Sequence, residues 1–88
     1  MNSAAVAEQF RALAEEARGS GRLAAFLAAA RWIMEELART PTEFGESWMT
    51  RPGSDLIFRR GFARPLHVQY AVREEERVVF IRRFVLVR

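Results

Sequence analysis

The residues best suited to chemistry in this chain lie in its last third. Arg59, Arg60, Arg64, Arg73, Arg82 and Arg83 are grouped there, with His67 and Tyr70 among them. A guanidinium binds phosphate oxygens bidentately and can balance the charge of a phosphoryl transition state. Several of them converging on one sheet face would make an RNA-binding or RNA-cleaving surface. Ordinary solvent-facing positions on a half-buried sheet, with edge charges that block aggregation, would leave the same residues in the sequence. A lone histidine in a strand is more often a surface residue than a catalyst.

Other chemistries are excluded by what is missing. One histidine and no cysteine rule out a thiolate metal site and make a structural zinc centre untenable. The same histidine sits in a strand pattern, so no Ser/His/Asp nucleophile set is credible. The glycines are scattered and none opens a helix after a strand, which excludes a phosphate loop. Glu74, Glu75 and Glu76 are consecutive in a hairpin loop and point in different directions, as a solvated turn does. No cofactor and no metal is expected.

The charge is unevenly placed. All 14 basic residues are arginine, which a GC-rich genome alone could produce. Residues 1–50 hold five arginines and seven acids, a balance of −2, whereas residues 51–88 hold nine arginines and four acids, a balance of +5. A basic C-terminal half suggests an anionic partner, either nucleic acid or an acidic protein segment.

These residues must be positioned by a small scaffold. At 88 residues, half of them hydrophobic, the chain has room for one domain, 1–88, around one core. Val6, Phe10, Leu13 and Ala17 recur at helical spacing and predict a first helix over 4–18, with Ser3 as its cap. Gly19-Ser20-Gly21 ends that helix and starts the next. Leu23, Phe26, Leu27, Ala30, Ile33, Met34 and Leu37 predict a second helix over 21–39, stopped by Thr40-Pro41. Arg31 and Glu35 are spaced to pair on its outer side. The short connection predicts an antiparallel helical hairpin.

Residues 42–54 read as a loop in which Phe44, Trp48 and Met49 plug one end of the core. From Asp55 the period becomes two. Leu56–Arg60 predicts a short strand, Gly61–Pro65 a turn, Leu66–Val72 a second strand and Arg77–Val87 a third, across a loop at Arg73–Glu76. A four-residue loop would set Tyr70 opposite Val79 and Val68 opposite Ile81, on the face packed against the helices. Phe80, Arg82, Phe84 and Leu86 would then share the other face, an apolar and arginine-lined surface of the kind that awaits a partner. The expected fold is therefore α+β: a helical hairpin on a three-stranded antiparallel sheet. No stretch reaches membrane-spanning length, and the acids near the N-terminus are unlike a signal peptide, so a cytoplasmic protein is expected.

Helix, helix and then strands reading LIFRR…PLHVQYAVREEERVVFIRRF resemble the RelE/ParE superfamily of bacterial type II toxins. The carriers are Leu66–Val72, the charged turn Arg73–Glu76, Val78–Ile81 and the link Thr42–Glu46. The resemblance implies a helical hairpin on an antiparallel sheet and inhibition by a cognate antitoxin. It implies either metal-independent mRNA cleavage on the ribosome or the poisoning of DNA gyrase. The family's basic position on the first C-terminal strand falls at Arg59, with Arg60 beside it. Its arginine at the start of the next strand falls at Leu66, flanked by Arg64 and His67. Its terminal basic and aromatic residues have no counterpart before Arg88, and its usual N-terminal strand is replaced by helix, leaving a sheet edge that a partner or second copy could fill.

Three functions follow as expectations. The first is a toxin-like protein that binds gyrase or the ribosome without cleaving anything. The second is an mRNA endonuclease built on Arg59, Arg64, His67 and Arg82 or Arg83, with His67 or Tyr70 moving protons. The third is an unrelated interaction module, such as a phage-type inhibitor, that binds an acidic protein through the basic sheet. The missing family residues favour binding over enzymatic action.

Overall fold

A computed structural model describes residues 4–50, 53, 55–73, 75–76 and 78–87. Two helices, α1 (Ala4–Gly19) and α2 (Leu23–Arg39), precede four strands: β1 (Glu46–Thr50), β2 (Leu56–Ala63), β3 (Leu66–Arg73) and β4 (Val78–Leu86). The strands form one antiparallel sheet in the order β1-β2-β3-β4. The α+β class and the helical hairpin are as expected, but the sheet has a fourth strand. Among the described residues no helix is long and apolar enough to cross a membrane.

The additional strand, β1, lies in the segment read as a loop. Its glycines and turn formers obscured a five-residue strand that pairs with β2 at four positions, from Glu46 with Arg60 to Thr50 with Ile57. The turn expected over Gly61–Pro65 is confined to Arg64-Pro65, because β2 runs on to Ala63 opposite Leu66. Ser3 lies outside the described residues.

The helices end as their residues dictate. Gly21, at φ 72°, lets the Arg22 N–H reach back to the Ala17 carbonyl at 2.7 Å and the Gly21 N–H to that of Arg18 at 3.2 Å. This double back-bond needs a left-handed residue, which glycine supplies without steric cost. α2 starts at Leu23 rather than Gly21, with Arg22 in the capping position and no side-chain cap bond. Arg31 and Glu35 form no ion pair; Glu36 bonds Arg39 instead.

Both helices pack on one face of the sheet, α1 against β4 and α2 against β2 and β3. The core between them holds Phe26, Ile33, Leu66, Val68, Tyr70 and Val72, all fully buried. Phe10 of α1 joins the layers, its ring 5.0 Å from Phe26 and 5.3 Å from Phe84. Phe44 plugs the end of this core as predicted. Its ring lies over Gly61, where any Cβ would collide with it, so the strand must have glycine there. Trp48 and Met49 do not join it, since β1 carries them to the other face.

The β3–β4 register corrects two expectations. Tyr70 pairs with Ile81 and Val72 with Val79, a shift of two residues from the predicted pairing. A two-residue shift preserves the faces, so Val68, Tyr70, Val79 and Ile81 do point toward the helices. Beyond Ile81 a bulge changes the phase: Tyr70 pairs with Ile81, but Gln69 pairs with Arg83 and Val68 with Phe84. Phe84 and Leu86 therefore turn into the core and not onto the open face. Strict alternation misplaced them because it cannot foresee an extra residue.

Candidate functional site

The face of the sheet turned away from the helices is uncovered, and the register gives its composition. One rung across it reads Met49, Phe58, Ala71 and Phe80, and the next reads Glu46, Arg60, Gln69 and Arg83. A third holds Phe62, His67 and Val85. Aromatic and basic rungs thus alternate along the surface.

Two bulges add to it. In β1, Ser47 pairs with Arg59 and Met49 with Phe58, leaving Trp48 as an extra residue. In β4 the extra residue is Arg82. Each lies on an edge strand, and each delivers its side chain to Phe58 on the open face. The Trp48 ring stands edge-on to Phe58 at 6.4 Å, and the Arg82 guanidinium sits 5.1 Å from the centre of the same ring. Phe58 is only 5% exposed although it lies on the uncovered face, because these two side chains cover it. Bulges at sheet edges commonly re-aim a side chain in this way.

The electrostatics single out two arginines. Arg60 pairs with Glu46 at 3.0 Å, and Arg73 reaches Asp55 at 3.2 Å and Glu76 at 3.4 Å. Arg82 and Arg83 are exposed and have no acidic partner among the described residues. His67 lies flat against Phe62, ring centres 4.4 Å apart, and its Nε2 is enclosed without a hydrogen-bond partner. Burial, and then the positive charges of Arg60 and Arg83, push its pKa below the ordinary 6.5, so it is neutral at pH 7.

The residues expected to form a site are therefore divided. Arg60, His67, Arg82 and Arg83 share the open face. Arg64 is exposed in the β2–β3 turn. Arg59 points to the other side, where its Nε donates to the Phe44 carbonyl at 3.3 Å and its Nη2 to that of Gly45 at 3.0 Å. Tyr70 is fully buried among the helices. Its hydroxyl donates to the Phe44 carbonyl and lies 3.1 Å from that of Pro41, and burial raises its pKa. Arg59 and Tyr70 thus fasten the link between α2 and β1. Trp48, Phe58 and Phe62 were not among the expected site residues; the signal for them was the aromatic content of a segment read as a loop, a short strand and a turn.

No family model, curated protein or solved structure matches this chain. The likeness to the RelE/ParE toxins rests on the strand and link residues quoted above.

Proposed function

We propose that this protein is a non-catalytic, toxin-like binding protein that engages single-stranded RNA through its open sheet face. The observation that supports this most is the pair of edge bulges, which bring an indole and a guanidinium to one phenyl ring in the middle of an uncovered sheet. Base stacking on aromatic rings and guanidinium contacts to phosphate are the two interactions that bind single strands with little regard to sequence. A double helix buries its base faces and could use only the charges. Cleavage is the weaker reading, since Arg59 and Tyr70 lie across the sheet from His67, and Glu46, which shares the open face, is held by Arg60. In a toxin–antitoxin setting, an acidic antitoxin segment would compete with RNA for Arg82 and Arg83. Gyrase, the other target class, offers a folded protein surface, to which stacked rings and free guanidinium groups are less suited than to bases and phosphates.

Fluorescence anisotropy with a labelled single-stranded RNA and its duplex tests this. The single strand is expected to bind more tightly. Arg82→Ala and Arg83→Ala should each lower the salt slope of binding by about one. Trp48→Ala should cost about 1–3 kcal/mol of single-strand affinity and leave that slope unchanged. Equal affinity for the duplex, or a Trp48→Ala variant that binds as the parent does, would reject the stacking surface.

A further inference from the structure

A second unpartnered surface lies on α2, on the opposite side of the molecule from the open sheet face. Leu27, Trp32 and Met34 are 50%, 47% and 43% exposed, an unusual apolar load for one helix. At about 100° per residue, Ala24, Ala28, Arg31, Glu35 and Ala38 form the outermost row. Leu27 and Met34 border it on one side and Trp32 on the other. The buried row of the helix is Phe26, Ala29, Ala30, Ile33 and Leu37. Leu27, Ala28, Arg31, Trp32 and Glu35 line a shallow depression. Arg31 and Glu35 in its wall are exposed and form no ion pair with each other or with another described residue.

We propose that this surface is a homodimer interface in which α2 packs antiparallel against α2 of a second copy of the chain. The charges identify the occupant. With a two-fold axis level with Ile33, Arg31 faces Glu35 of the second copy, and symmetry repeats the pair. The same axis sets Ala28 against Ala38 of the second copy, and these small side chains let the helices approach closely. Trp32 meets its own symmetry mate along one flank and Met34 its own along the other. A parallel arrangement would bring Arg31 against Arg31 and is excluded. The outer row is neutral overall, so it offers nothing to a strongly charged partner, while it complements itself once reversed. The sheet offers a poorer route to self-association at β4, because the Phe84 N–H is occupied by Gln9 Oε1 of α1 at 2.8 Å. A dimer through α2 leaves both open sheet faces accessible.

Sedimentation equilibrium of the full chain should show a reversible dimer. Leu27→Glu and Trp32→Glu should each raise its dissociation constant at least about tenfold, as expected for buried interface anchors. Arg31→Glu alone and Glu35→Arg alone should each be monomeric, because each sets like charges face to face. Mixed together, those two variants should form a heterodimer, since the new glutamate at position 31 meets the new arginine at position 35. Circular dichroism of each variant establishes that it is folded. A parent chain that stays monomeric at all accessible concentrations overturns the proposal. So does a mixture of folded Arg31→Glu and Glu35→Arg chains that fails to associate.

Discussion

His67 lies against Phe62 with Arg60 and Arg83 close enough to repel a proton from it. Burial and both charges act in the same direction, so the folded chain holds the imidazole neutral below the ordinary 6.5 at which the unfolded chain takes up a proton. The unfolded state then binds more protons in that interval, and the contribution of His67 to stability is complete above 6.5 and is lost as pH falls toward the folded value. Because this is the single histidine, its ring protons report the titration without overlap. An NMR titration should place its pKa below the ordinary value, and Arg83→Ala should move it upward. A phosphate bound between Arg60 and Arg83 should do the same, so RNA affinity should rise as pH falls through the titration. A His67 that titrates at or above 6.5 in the free protein would mean that neither the burial of its ring nor the two guanidinium groups act on it as the structure places them. The environment of His67 was not legible in the sequence. That Arg59 and Arg60 lie on opposite faces was, because they are neighbours in a strand and period two separates neighbours; which of the two is withdrawn was not.

At the scale of the elements, the β4 bulge has a simple consequence. Ile81 pairs with Tyr70 and Arg83 with Gln69, and only Arg82 stands between them without a partner. Removing Arg82 would leave Ile81 inward, Arg83 outward and Phe84 inward, a regular strand with every core contact kept. The bulge is therefore not needed to fill the core; it places a second arginine on the open face beside the first. Deletion of Arg82 should cost about 1–2 kcal/mol in a urea melt, the loss of its cover and cation–π contact on Phe58. The same deletion should reduce the salt slope of RNA binding by about one. A loss of several kcal/mol would instead make the bulge part of the packing. The helices were legible because a long 3.6-residue period survives local exceptions: Phe26, Ile33 and Leu37 sit where their spacing put them. The strands were less so. Each bulge breaks the two-residue period on which face assignment depends, which is why Phe84 and Leu86 were misplaced. In β1 the turn-forming composition around Trp48 outweighed its strand pairing.

For the whole molecule, the helices and the basic sheet form opposite sides, and charge follows this division: residues 4–39, which span the two helices, hold five arginines and five acids and are neutral, whereas residues 51–88 carry +5. A polyanion is drawn to the sheet side, where Arg82 and Arg83 have no acidic partner among the described residues, and is not drawn to the helices. Of the groups that could transfer protons, Tyr70 lies within the core, while on the open face His67 has its Nε2 enclosed and Glu46 is tied to Arg60. On the proposed reading the sheet holds an RNA strand, while the enclosed His67 and the Arg60-bound Glu46 are not free to act as acid and base on one phosphate. Inducible expression in a bacterium should therefore arrest growth while total mRNA remains intact. The arrest should be relieved by the double change Arg82→Ala and Arg83→Ala, whose side chains are exposed; the change uncovers one side of Phe58 but leaves the core between helices and sheet in place. Fragmented mRNA would restore the nuclease reading and make His67 the first residue to replace. Normal growth from folded protein that still binds RNA in vitro would separate the binding surface from any toxin role, because the surface follows from the sheet whereas the toxin role rests on the resemblance.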